Sequence, residues 1–319
     1  MIEYYSEFFH YGSIVSACAL TALGASIGEG LIGKTAIQAM NQQPESRGEV
    51  AKTAILGMAI TEASAIFGIV IALLVFFLSD RTADNILYSG LSHIGIAIAI
   101  GVTGLVIGIA SALPAQEACM ATARQPHFSP YISRFMLIVQ SMIQTPIIFG
   151  FIVSMVIQNQ AERVETLVDA IRLISAGIAI GLGSIGPAVG LALFSRTATK
   201  GIGVNRESYS NLFTFSFLSN AIIETPIIFA IIIALLILGY NAENQDVLDA
   251  ARVFSAAICI GIGTMGPGIS SGKTAAAACT EIVRNPLVYS QLSKVSMLAQ
   301  GLIDTCAIYT LLVAILILF

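Results

Sequence analysis

Four positions in this 319-residue sequence place an acid, or its amide, inside stretches otherwise almost free of charge: Glu62, Gln144, Glu224 and Asp304. They lie 82, 80 and 80 residues apart, a period that makes them equivalent members of an internal repeat. Glu224 sits in "AIIETPIIFA" and Gln144 in the nearly identical "SMIQTPIIFG". One copy has therefore lost the ionisable group and kept the polarity. A carboxyl group in an apolar stretch either makes a structural interhelical hydrogen bond or binds and releases a cation. The ionised form is costly in hydrocarbon, so Glu62, Glu224 and Asp304 are expected to be neutral when they face lipid and to ionise beside a polar partner. Such a group is a reversible carrier.

A second set of positions lies 33 residues before the first: Glu29, Ser111, Leu191 and Ser271. Equal spacing puts each pair at one depth of a helical hairpin, ~25 Å from its turn at about 1.5 Å of rise per residue. Glu29 opposite Glu62 could share one proton with it and titrate as a pair, or be bridged to it by sodium, or be simply a polar residue of the inner helix. Asp304 has Thr305 beside it, Tyr309 one turn on and Ser271 opposite, an oxygen-rich set of the kind that coordinates a hard cation. Glu224 has Thr225 but faces Leu191, and carries Phe229 where Tyr309 stands.

The elements that hold these residues follow from composition. The chain is 56% hydrophobic and 11% charged, without tryptophan and with a mean hydropathy of +0.86, far from a soluble domain. Stretches long enough to span a bilayer number eight, centred near residues 22, 66, 102, 144, 182, 224, 262 and 306. No residues are left for a soluble domain. "MIEYYSEFFH" has no basic signal-type region, so the N-terminus is expected to be retained. The five cysteines, without CxxC or histidine spacing, are expected to be small buried residues. His10, His93 and His127 lack ligand spacing and are expected at the surface.

Eleven of the fifteen Lys and Arg fall at alternate turns, including Lys34, Arg47, Arg124, Arg206 and Arg284. Acids collect on the other side, at Asp80, Asp84, Glu162, Glu165, Asp169, Glu243, Asp246 and Asp249. The positive-inside rule then places the basic turns in the cytoplasm and both chain ends away from it. The result is an all-α membrane protein of eight helices in four tandem hairpins, 1–80, 81–161, 162–242 and 243–319. The first helix of each carries small residues at four-residue spacing, Gly24 with Gly28, Gly104 with Gly108, Gly186 with Gly190 and Gly268 with Gly272, which lets backbones approach closely in lipid. The second helices are rich in Ile, Leu and Phe. That asymmetry predicts two layers, slim helices inside and bulky ones outside. Pro146 and Pro226 are expected to kink their helices and free carbonyls near Met142 and Ile222.

"GASIGEGLIGKTAIQAMNQQPE" followed by "GMAITEASAIFGIVIALLVFFL" resembles the c subunit, or proteolipid, of F-type rotary ATP synthases, with its glycine-patterned inner helix, polar turn and outer-helix acid. The later hairpins resemble it through "ARQP", "GSIGPAVG", "GTMGPGIS", Glu224 and Asp304. Four fused hairpins depart from the usual one, and multi-hairpin proteolipids are also a V-type feature.

The resemblance implies part of a two-layered concentric rotor ring made of copies of the chain, set among lipids in an energy-transducing membrane of the bacterial plasma-membrane type. It further implies a stator a subunit with an essential arginine, central-stalk subunits at the cytoplasmic turns, no nucleic-acid partner and no ATP chemistry in this chain. Glu62, Glu224 and Asp304 would carry the ion, with Glu29 as a proton-sharing partner, and Gln144 would pass as a silent step. No cofactor is implied. All sites of a ring carry one ion and a proton needs only the carboxylate, so the poorest site, Glu224, decides for H⁺. Sodium is the alternative, held by Glu29, Glu62, Glu224, Thr225, Ser271, Asp304, Thr305 and Tyr309. An eight-helix channel or secondary transporter, and a membrane scaffold, are the competing classes.

Overall fold

The computed structural model describes residues 2–79, 86–240 and 246–319; Asp80, Arg81, Asp84 and Glu243 lie outside them. The described residues form eight helices of membrane-spanning length: α1 (Ser6–Gln42), α2 (Pro44–Leu78), α3 (Leu87–Arg124), α4 (Pro126–Ala161), α5 (Leu167–Val204), α6 (Arg206–Leu238), α7 (Val247–Arg284) and α8 (Pro286–Leu318). At 33 to 38 residues each, they are ~50 Å long or more and exceed the ~30 Å hydrocarbon core. Four tight turns make the hairpins. In three, an extended residue before proline (Gln43, Gln125 or Asn285) ends the inner helix, and the proline opens the outer one. The third hairpin has no proline there, and the Asn205 side chain does the work by accepting from the Glu207 N–H at 3.0 Å.

The odd-numbered helices pack in chain order, α1 on α3, α3 on α5 and α5 on α7, and the even-numbered helices lie against them as a second row. The glycines explain the close inner row. A methyl group at Gly28 would collide with the Gly108 carbonyl, and one at Gly272 with the Gly190 backbone, so these contacts are available to a bare Cα alone. The first hairpin makes no substantial contact with the fourth among the described residues. The four copies therefore form an open, two-layered arc.

Three inner helices depart from regular α-geometry. A π-helical turn occupies Ala97–Val102 in α3, and α5 and α7 are interrupted at Ser184 and Thr264. Pro187 and Pro267, three residues after these breaks, supply no N–H to the carbonyls four residues before them, Gly183 and Gly263. The Thr264 hydroxyl donates to the freed Gly183 carbonyl at 3.4 Å, joining α7 to α5 at the break. Of the two outer prolines, Pro146 coincides with an interruption of α4 at Gln144, whereas Pro226 lies inside one continuous helix, Tyr209–Leu238.

Two expectations are corrected. His10 and His93 are buried, with their Nδ1 atoms 3.3 Å apart across α1 and α3, whereas His127 is exposed. The hydrogen bond explains this, because paired imidazoles can leave water without losing all their partners. Among the cysteines, Cys119 and Cys279 are buried, but Cys306 is exposed on α8, the outer helix at the end of the arc.

Candidate functional site

The four repeat positions and their 33-residue partners do come to one level, and each copy builds its site differently. In the fourth hairpin the Ser271 hydroxyl donates to Asp304 Oδ1 at 3.3 Å, and Asp304 is buried. In the first, Glu29 on α1 lies close enough to Glu62 on α2 for the two charges to repel. Glu29 is half-buried and Glu62 exposed. In the third, Leu191 is fully buried opposite Glu224 and offers no polar atom. Glu224 instead takes a hydrogen bond from the Thr145 side chain on α4, the outer helix of the preceding hairpin. Its Oε1 is buried without a partner among the described residues.

The second hairpin shows what the amide does. Gln144 is buried and its Nε2 donates to the Ile60 carbonyl at 2.9 Å, again on the outer helix of the preceding hairpin. Ser111 does not pair with Gln144; it donates to Thr61 Oγ1 at 3.1 Å. The neutral amide satisfies a backbone carbonyl with no charge to compensate.

The oxygens expected around Asp304 are not gathered there. Thr305 spends its hydroxyl on the Leu302 carbonyl at 2.7 Å, and Tyr309 is exposed. Thr225 likewise donates to the Ala221 carbonyl of its own helix at 3.2 Å. Serine and threonine on helices often bond back in this way, so their hydroxyls add less to a site than their position in the sequence implies. Of the eight oxygen-bearing residues considered for sodium, the structure joins Ser271 with Asp304 and Glu29 with Glu62, and brings Thr225, Thr305 and Tyr309 to no carboxylate.

One set of site neighbours does not emerge from the spacing of the acids. Gln140, Asn220 and Gln300 stand one turn before the key positions. Gln140 Nε2 donates to the Ser111 carbonyl at 2.9 Å and the Gly57 carbonyl at 3.1 Å. Gln300 Nε2 reaches Ser219 Oγ at 3.3 Å, and Asn220 Nδ2 reaches Met142 Sδ at 3.1 Å. Each joins its outer helix to the preceding outer helix or, for Gln140, to both layers. A signal for them exists in the sequence, because the three recur at 80-residue intervals, with Met58 as the apolar exception.

Fold and site together define an integral, multi-pass membrane protein of repeated helical hairpins, with one acid or amide per hairpin at a common depth. The family model of the ATP synthase C subunit matches four times, at residues 13–75, 94–157, 174–237 and 254–317, and the chain belongs to this family of rotor c subunits of rotary ATPases. The family's members are non-catalytic proteolipids that assemble as rings within the ATP synthase. Over 135 residues the chain is 30% identical to the 16 kDa proteolipid c subunit of the V-type proton ATPase of Nephrops norvegicus, covering 42% of this chain and 81% of that protein. It is 36% identical over 76 residues to ATP synthase c subunit 2 of Cereibacter sphaeroides, covering 24% of this chain and 92% of that one. It is 39% identical over 70 residues to the ATP synthase c subunit of Dehalococcoides mccartyi, covering 22% and 92%. Relatives named for ATP synthases and for a V-type ATPase therefore match parts of one chain.

Proposed function

We propose that this chain is a rotor-ring subunit that carries H⁺ across the membrane on Glu62, Glu224 and Asp304, in steps coupled to ATP synthesis or hydrolysis elsewhere in the complex. Each carboxylate takes a proton from one half-channel, travels neutral past lipid, and gives the proton up beside a stator arginine to the other half-channel. The observation that carries the reading is the common depth of the acids on successive outer helices, with Ser271, Thr145 and Glu29 as their separate polar neighbours. A single conducting path would gather polar groups in one place.

Gln144 passes the stator without binding a proton, so four hairpins move three protons. Fewer ions per turn require a larger driving force for synthesis and let hydrolysis build a steeper gradient. Glu224 supports the proton over sodium, since its oxygen neighbour is Thr145 and the residue opposite is the apolar Leu191. Sodium remains the alternative cargo. The basic turns then face the cytoplasm and the central stalk, with both chain ends on the opposite side of an energy-transducing membrane, as of a bacterial cell.

The test is the complex carrying E62Q, E224Q and D304Q together. ATP hydrolysis by the catalytic head with no ion movement is expected; ATP-coupled ion movement at the original rate would overturn the proposal. Protection of the acids from a hydrophobic carbodiimide by sodium would change the cargo from H⁺ to Na⁺.

A further inference from the structure

We propose that the inner-helix face near the turns of hairpins 3 and 4 binds the phosphate group of an anionic phospholipid. A cavity of about 720 Å³ opens there, and every residue lining it comes from α3, α5 or α7. It therefore lies on the side of the inner row turned away from the outer helices. Four of its residues are cations, Arg196, Lys200, Lys273 and Arg284, against one acid, Glu117. Arg196 Nε already holds Glu117 at 3.0 Å, and Arg284 is paired with Glu281 at 2.8 Å on its own helix. Neither Lys200 nor Lys273 has an ion pair among the described residues.

The repeat does not account for these lysines. The positions equivalent to Lys273 are Leu31, Leu113 and Leu193, and those equivalent to Lys200 are Gln38, Met120 and Thr280. Whatever all four hairpins do in common is done without a cation at either place. Lys273 is also deep: it follows Ser271 by two residues, so it sits ~3 Å along the axis from the level of Asp304. An ammonium at that depth needs a counter-charge. A phosphodiester provides one, with two free oxygens that lysine and the arginine fork can both engage. Leu193, Val204 and Val283 on the same wall suit an acyl chain and favour a lipid over free phosphate or an acidic protein segment. Basic pockets between membrane helices recognise anionic headgroups in this way.

The test uses the intact assembly, purified in detergent and stripped of lipid, then exposed separately to phosphatidylglycerol, phosphatidylcholine and inorganic phosphate, with bound ligand counted by native mass spectrometry. Retention of phosphatidylglycerol about 10-fold above phosphatidylcholine is expected from two extra cationic contacts. K200Q/K273Q should bring it down to the phosphatidylcholine level, and K200R/K273R should keep it. The proposal is overturned if K200Q/K273Q retains phosphatidylglycerol as the unaltered protein does, if K200R/K273R loses it, if the two lipids are held equally, or if inorganic phosphate occupies the site and excludes the lipid.

Discussion

The Ser271 hydroxyl donates to the Asp304 carboxyl oxygen at 3.3 Å, across two helices and 33 residues of sequence. It is the hydrogen bond that ties the inner helix to the outer acid in the fourth hairpin. Replacing it by S271A should cost ~1 kcal/mol, since a buried acceptor loses its donor, while leaving assembly intact. Thermal dissociation of the purified assembly measures the loss; an unchanged profile would show the bond to be energetically idle.

Accessibility of the three acids differs within one chain, from exposed Glu62 through half-buried Glu224 to buried Asp304. A hydrophobic carbodiimide applied to the separated chain in detergent should label them in that order, and Gln144 should not react. Peptide mass spectrometry over a time course gives the ranking. Labelling of Asp304 ahead of Glu62 would contradict the packing described above.

Restoring an acid by Q144E should add a carrier. Gln144 Nε2 donates to the Ile60 carbonyl, and a protonated glutamic acid has an O–H that can do the same. The variant complex should assemble and move four ions where the original moves three, with synthesis beginning at a lower driving force. Reconstituted vesicles under graded ion gradients measure the threshold; an unchanged threshold would mean that the second hairpin cannot take part.

The inner row tolerates no side chain at its contact points. G190V should disrupt hairpins 3 and 4, because even a Cβ there meets the Gly268 backbone; overpacking typically costs about 1–3 kcal/mol and rigid backbone gives least. G48A, where a methyl group meets nothing within 4 Å, should be neutral or up to about 1 kcal/mol stabilising. Thermal stability of the two variants compares them directly.

Gln140 bridges the Gly57 and Ser111 carbonyls from a fully buried position. Q140L keeps the volume and removes both donors, and should lower stability by ~1–3 kcal/mol. M58Q, at the equivalent place in the first hairpin, should change little in the separated chain. A thermal shift as small for Q140L as for M58Q would deny the bridge a structural role.

Much of this was legible in one dimension. The 80-residue period of Glu62, Gln144, Glu224 and Asp304, with partners 33 residues earlier, gives the depth of the site, because axial rise per residue is nearly constant in any helix. The small residues of the first helices and the bulky ones of the second separate the layers for a similar reason, as side-chain volume limits how near two axes come. What a side chain touches at its depth also depends on helix rotation, on local breaks such as Ala97–Val102, Ser184 and Thr264, and on competition from its own backbone. Thr305 and Thr225 illustrate the last effect, each hydroxyl being taken by a carbonyl of its own helix.

The sequence alone therefore determined the membrane habit, the four hairpins and the level at which the acids stand. Tertiary structure decided which neighbour completes each site: Gln144 turns back to Ile60, Glu224 to Thr145 and Ser111 to Thr61, all on the outer helix of the preceding hairpin. Spacing fixes height along a helix axis, whereas the partner across a helix pair is chosen by the angle at which each helix faces its neighbour, and that angle is set only when the backbones close on their glycines.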